Sequence, residues 1–150
     1  MSNSRFRDSG ETTPDIIFGN DVLVECPKCS SCAIARKSSE EYPFFRVICM
    51  KCGLLPCSDT LSWGAGYFFE YQLWLRVNCC VHLLWAYNKQ HLDFLESYIS
   101  STLRERTPNI NQSMASRLPS WIKSSKNREQ LLKGVRRLQE KLDEAGIYHN

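Results

Sequence analysis

The sequence predicts an α+β fold: a cysteine-hooked ribbon, extended by a small antiparallel sheet and followed by a helical C-terminal half. Three observations carry this expectation. Two hooks, Cys26-Pro27-Lys28-Cys29 and Cys49-Met50-Lys51-Cys52-Gly53, stand nineteen residues apart. Around and after them, short runs rich in Val, Ile, Leu, Trp and Tyr have the composition of strands. From Asn88 onward, apolar residues recur at three- and four-residue steps, the period of amphipathic helices.

In chain order, residues 1–15 read as a disordered leader, polar and charged with Pro14 near its end. Residues 16–58 read as the ribbon. Ile16-Ile17-Phe18 and Val22-Leu23-Val24 flank Gly19-Asn20-Asp21, which is turn chemistry, so the second apolar piece predicts a strand leading into the first hook. In each hook a tight turn lets both sulfurs point inward while backbone N–H groups remain free to bond them. Pro27 stiffens the first turn, and Gly53 allows a positive φ just past the second. Ala33 to Lys37 and Phe44 to Ile48 predict strands, joined by the polar Ser38-Ser39-Glu40-Glu41. Together the hooks supply four thiolates, Cys26, Cys29, Cys49 and Cys52, which suit one tetrahedral zinc ion as cofactor. A closed four-thiolate set leaves no open position, which favours a structural zinc over a catalytic one. A ribbon this small has little core, so the metal supplies folding free energy, ~10–16 kcal/mol in peptide models.

Residues 59–150 predict a strand hairpin plus helices, packed as one unit with the ribbon. Residues 58–70 are loop-like, with Gly64 and Gly66 among Trp63, Tyr67, Phe68 and Phe69. Such aromatics either pack over the ribbon or form a contact surface. Leu73 to Asn88 reads as two strands joined near Asn78 to Val81, with a buried helix as the alternative. Leu92, Leu95, Ile99 and Leu103, joined by Tyr98, predict a helix from Lys89 to about Arg106, with Asn88 as N-cap and Arg104 and Arg106 at its C-terminal end. Thr107-Pro108-Asn109 breaks it. Ser113 to Leu118 suggests a short helical turn, and Pro119 opens another through Trp121 and Ile122. Asn127 then caps a final helix whose Leu131, Val135, Leu138 and Leu142 form one stripe, with Gly146 as its stop.

The bulk properties narrow the function classes. At 150 residues, one domain or two small ones is expected, and 43% hydrophobic with 23% charged residues is ordinary for a folded protein. The net charge of +3 permits nucleic-acid binding without demanding it. Its distribution is uneven: residues 111–150 hold eight Lys/Arg against four Asp/Glu, whereas residues 1–25 hold two against five. Eight cysteines behind a polar N-terminus, four of them at metal spacing, favour a reducing, cytoplasmic setting over a disulfide scaffold. No apolar run approaches the ~18 residues of a membrane span, so no membrane partner is expected.

Two resemblances add to this. Residues 26–53 resemble the transcription-factor-IIB-type zinc ribbon. The run Leu73-Trp74-Leu75, Cys79-Cys80, His82, Leu84-Trp85-Ala86-Tyr87-Asn88, His91-Leu92, Leu103-Arg104-Glu105-Arg106, Leu118-Pro119, Trp121-Ile122-Lys123 and Lys126-Asn127-Arg128 is similar to an uncharacterised family of small bacterial cytosolic proteins that carry the same ribbon in front. The chain departs from that family at Val81, where a glycine is usual. The resemblance implies the architecture and a bacterial cytosolic setting, and no particular activity.

The remaining constellations are weighed against plainer readings. Cys32 extends the first hook and competes as a ligand; a free thiol at a strand start is preferred. Cys79, Cys80 and His82, with Cys57 or His91, suggest a second metal site, against which stand buried structural thiols. On a strand Cys80 and His82 would share a face and Cys79 would point away. A Cys–His nucleophile at the same residues lacks a visible orienting group or oxyanion element. Trp85 and Tyr87 suit base stacking only if their rings are exposed. Lys123, Lys126, Arg128, Lys133, Arg136 and Arg137 are candidate nucleic-acid contacts, against which stands a solvated helix face carrying Glu129, Glu140 and Asp143. The expectation is a non-enzymatic zinc-binding adaptor, nucleic-acid-binding or transcription-associated, with no small-molecule substrate. The alternative is a protein-interaction module, such as an immunity- or antitoxin-like protein or a complex subunit, that uses the 63–69 aromatics or the Leu131–Leu142 stripe.

Overall fold

The computed structural model describes residues 5–7, 12, 16, 21–37, 45–53, 57–58, 63–64, 67–68, 71–105 and 113–146. Strands β2 (Val22–Glu25), β3 (Cys32–Lys37), β4 (Phe45–Cys49) and β5 (Cys57–Ser58) form an antiparallel sheet in chain order. The expected 38–41 connection lies outside the described residues. Register matters here: Glu25 faces Cys32 and Ala33 faces Cys49, which brings the two hooks to the same end of the sheet.

This sheet is buried on both faces. Because side chains alternate along a strand, Val22 and Val24 enter one core with Ala33, Ala35, Val47 and Phe68, while Leu23 and Ile34 enter a second. The second core is filled by Leu75, Leu84, Leu92, Leu95, Leu131 and Leu138 from the C-terminal half. The α+β class expected from the sequence is the one observed, and the four-stranded sheet and the helices share a wall.

The 58–70 segment, expected to be loop, contributes short strands where it is described. β6 (Trp63–Gly64), β7 (Tyr67–Phe68) and β8 (Tyr71–Gln72) make a three-stranded antiparallel sheet. Aromatic residues favour the pleated surface, and Phe68 is fully buried, so packing outweighs the loop signal of the glycines. The predicted hairpin follows as β9 (Leu75–Cys79) and β10 (His82–Ala86), with Cys79 opposite His82. Cys80 and Val81 turn the chain with φ of 55° and 66°. This is the left-handed two-residue turn that matches strand twist, at a conformational cost of roughly 1–2 kcal/mol for each residue with a side chain. The hairpin is a separate two-stranded sheet, but its flanks hold the free edge of β2: Trp74 N–H donates to Leu23 O (3.1 Å) and Leu23 N–H donates to Tyr87 O (2.8 Å).

Helix α1 (Lys89–Ser100) begins as expected, with Asn88 Oδ1 accepting from His91 N–H at 2.9 Å. It ends six residues before the predicted Arg106, because Ser101 is extended and its hydroxyl donates to Tyr98 O at 2.7 Å. Leu103–Glu105 then forms β11, paired in parallel with β1 (Arg5–Arg7). Part of the expected disordered leader is therefore a strand. Phe6 anchors it by edge-on contacts to Phe94 (5.5 Å) and Tyr98 (5.1 Å).

Residues 113–118 turn, as expected, and α2 (Ser120–Lys123) and a 3-10 turn (Ser125–Asn127) lead into α3 (Arg128–Ala145). Asn127 sits at the N-cap position but its side chain does not cap; its Nδ2 donates to Trp121 O at 2.9 Å. Gly146 ends the helix at φ 69°. Leu131, Val135, Leu138 and Leu142 are all buried, so the stripe considered for partner binding is core instead. Lys141 clamps α3 to the hairpin: its Nζ donates to Trp74 O at 2.6 Å and lies 4.8 Å from the Trp74 ring centre. Among the described residues no helix is long and apolar enough to cross a membrane.

Candidate metal centre

Each hook is a turn closed by its own backbone. In the first, Ser30 N–H donates to Cys26 O (2.9 Å) and Cys26 N–H to Ser31 O (2.8 Å). In the second, Gly53 N–H donates to Cys49 O (2.9 Å). Both turns need a left-handed residue just past the second cysteine. Gly53 supplies it at φ 76°, as the sequence suggested, and Ser30 supplies it at φ 62°, which the sequence did not reveal.

The four sulfurs converge. Cys26 and Cys52 Sγ are 3.6 Å apart, Cys29 and Cys49 Sγ are 3.4 Å apart, and all four lie within 4.8 Å of one another. The edge of a tetrahedron with ~2.3 Å metal–sulfur bonds is about 3.8 Å, whereas a disulfide needs about 2.05 Å. The group therefore has the dimensions of a four-thiolate metal site. Cys26 and Cys49 are buried; Cys29 and Cys52 are half-buried.

The backbone also prepares the anions. The Ser31 N–H is the main cause holding the Cys29 thiol down to about 6. At Cys26, burial works against ionisation, but the N–H groups of Cys29 and Lys28 outweigh it and leave the thiol below its usual value. Such hydrogen bonding is what a thiolate ligand needs before a cation arrives.

Cys32 stands apart from this group. It opens β3, and burial pushes its thiol up to about 12, the behaviour of a neutral packed thiol. Cys79 and Cys80 do not reproduce a metal group either. Their sulfurs are 3.3 Å apart, yet Cys79 Sγ donates to Gln130 O (3.5 Å) and Cys80 Sγ to Gln130 Oε1 (3.4 Å). His82 instead stacks on Trp121 at 4.6 Å. Cys80 sits in the turn, so the expected Cys80–His82 face is replaced by a Cys79–His82 pair. The Cys57 side chain lies outside the described residues. Among the described residues the only set of three or more clustered metal-ligand side chains is the four-cysteine one. For the Cys–His nucleophile, burial pushes Cys79 up to about 12, and His91 Nδ1 is occupied by Tyr87 N–H at 3.1 Å.

The candidate cations divide into two kinds. Lys123 is half-buried and its Nζ donates to Ser116 O at 3.0 Å. Arg128 is half-buried, with a buried Nε that has no partner. Lys126, Lys133, Arg136 and Arg137 are exposed, and among the described residues none forms an ion pair, although Glu129 and Glu140 share the helix. Lys28 and Lys51, at the tips of the two hooks, are likewise exposed.

No protein-family model, curated protein or solved structure matches the chain.

Proposed function

We propose that the protein is a zinc-stapled, non-enzymatic adaptor that binds nucleic acid through the outer face of α3. Zinc is the ion that best suits four thiolates at tetrahedral spacing, and a closed set of four leaves no position for a substrate or water. The metal's role in this reading is to hold the ribbon sheet together.

The observation that carries the binding half is the set of exposed cations on α3 that pair with no acid among the described residues. Lys133 and Arg137 are one helical turn apart on one face, Arg136 lies beside them, and Lys126 precedes them in the 3-10 turn. Elsewhere Arg36, Arg76 and Lys89 are each matched by an acid, Asp21, Glu25 and Asp93. Exposed cations without acids are suited to phosphates. The protein-interaction alternative loses its leucine stripe, which is core. Met50 and Val81, the large exposed apolar residues among those described, sit on separate turns and make no patch.

The test is fluorescence anisotropy with mixed-sequence single- and double-stranded oligonucleotides across a salt series. Four phosphate contacts predict a log–log slope of about −3 to −4. Arg136→Glu with Arg137→Glu should weaken binding on every sequence and flatten the slope. Absent binding at low salt, or affinity indifferent to salt, would sink the proposal.

A further inference from the structure

Two thiols outside the four-cysteine group meet where strand geometry would part them. Successive side chains of a strand point to opposite faces, so neighbouring cysteines ordinarily diverge. Cys79 ends β9, but Cys80 is the first residue of the turn, and its left-handed backbone (φ 55°) brings the side chain back beside its neighbour. The two sulfurs stand 3.3 Å apart, close enough for either to donate to the other. Val81 shares the left-handed conformation (φ 66°), and its side chain is fully exposed, so no packing of its own holds it there. A β-branched residue in that region is an outlier, and such outliers gather at sites with a task.

The surroundings divide the pair. Cys79 is buried, with its Sγ against Gln130 O (3.5 Å) and 3.4 Å from where a Cβ on Gly134 would lie. Cys80 is half-buried and opens on a cleft of about 200 Å³, which Lys133 and Arg137 also line. A partly exposed cysteine beside cations is the reactive kind, whereas a buried one is inert on its own. A reactive thiol next to a second that can resolve it is the arrangement of oxidant-sensing cysteines.

We propose that Cys79 and Cys80 form a reversible oxidation site, which a hydroperoxide converts to a disulfide between adjacent residues. Cys80, as thiolate, attacks the peroxide; the O–O bond breaks, an alcohol or water leaves, and the sulfur becomes a sulfenic acid. The Cys79 sulfur then attacks Cys80, and its proton leaves with the sulfenic hydroxyl as water. In all, the two thiols lose two electrons and two protons, and the peroxide takes them. Burial first, and then the Cys80 thiol beside it, push Cys79 up to about 12; the second cause lifts once Cys80 carries a neutral sulfenic group. The sulfurs close from 3.3 Å to about 2.05 Å. Adjacent Cα atoms are only about 3.8 Å apart, short of the ~4.4 Å at which ordinary disulfides begin, so the product is strained and readily reduced. The inference is independent of both the nucleic-acid proposal and the metal group.

The test treats the full chain, loaded with zinc, with stoichiometric hydrogen peroxide, blocks the remaining thiols with iodoacetamide and maps tryptic peptides by mass. Cleavage after Arg76 and Lys89 releases Val77–Lys89, which contains Cys79 and Cys80 and no other cysteine. In the wild-type protein that peptide should lose two hydrogens and take no alkyl group, while Cys32 is still alkylated. Glutathione at millimolar concentration should restore both alkylations. Cys79→Ser should leave a Cys80 sulfenic acid that dimedone captures, and Cys80→Ser should leave Cys79 unoxidised. Full alkylation of the wild-type peptide after peroxide, oxidation of Cys32 at the same rate, a disulfide to any other cysteine, or a bond that glutathione leaves intact would overturn the assignment. Dimedone capture of Cys79 in Cys80→Ser as readily as of Cys80 in Cys79→Ser would also count against it.

Discussion

Gly134 offers a decisive test of how α3 meets the hairpin. A Cβ built there would lie 2.9 Å from Leu84 Cδ2 and 3.4 Å from Cys79 Sγ. Carbon atoms pack comfortably at about 3.5–4.0 Å, so Gly134→Ala requires the Leu84 side chain to turn aside, or the helix and strand to part, by roughly 0.6–1 Å. Neither side yields readily. Leu84 is buried in the leucine core, and the Lys141–Trp74 clamp holds the helix from its far end. Overpacking of this kind costs about 1–3 kcal/mol. Replacing glycine by alanine inside a helix returns about 0.8–1 kcal/mol. The net expectation is a loss near 1 kcal/mol, or roughly 2–4 °C in Tm for a chain of this length. Urea denaturation followed by circular dichroism reads it as a lower midpoint with an unchanged slope. Leu84→Ala makes room for the added methyl, so in that background Gly134→Ala should be neutral or stabilising, a coupling of about 1–3 kcal/mol in a double-mutant cycle. If Gly134→Ala alone raises the midpoint by the full helix-propensity gain, the close approach is not what holds a glycine at this position.

Three further outcomes follow from the structure. Cys49→Ser should remove about one zinc per chain by metal analysis and abolish the cooperative transition, whereas Cys32→Ser should keep the metal, because its sulfur is not in the cluster; retained zinc in the first variant would refute the ligand assignment. His91 is buried and neutral, with its pKa lowered to about 4 by desolvation against an unfolded value near 6.5, so its contribution is complete above pH 6.5 and is lost as pH falls towards 4. The chain should be about 2 kcal/mol less stable at pH 5 than at pH 7 with zinc still bound, and His91→Gln should flatten that slope; an equally steep profile in the variant would reject the role. Phe6→Ala should cost about 3 kcal/mol, because the ring is buried against Phe94 and Tyr98; a loss below about 0.5 kcal/mol would mean that β1 is not docked.

Much of this architecture was legible in local chemistry. Cysteine spacing identified the cluster, Asn88 and Gly146 marked helix ends, and the Leu131–Leu142 period identified a buried face. What escaped was settled at long range. Leu103 continues the helical period of Leu92, Leu95 and Ile99, yet it belongs to a strand whose partner is nearly a hundred residues upstream, and no local window contains Phe6. Asn127 has the right residue type for a cap, but its amide meets Trp121 O. At the candidate site, Ser30 escaped because the left-handed conformation usually signals itself by glycine.

Strand β2 gives Val22 and Val24 to one core and Leu23 to the other, and its sheet ends at the cysteine hooks. During synthesis the hooks leave the ribosome well before Leu131 and Leu138, so the four cysteines are all present while one face of β2 is still bare. Until those leucines arrive, Leu23 and Ile34 have no C-terminal side chains to pack against. A chain cut after the ribbon would present Leu23 and Ile34 to water, and would sooner pair with another copy than persist as a free module.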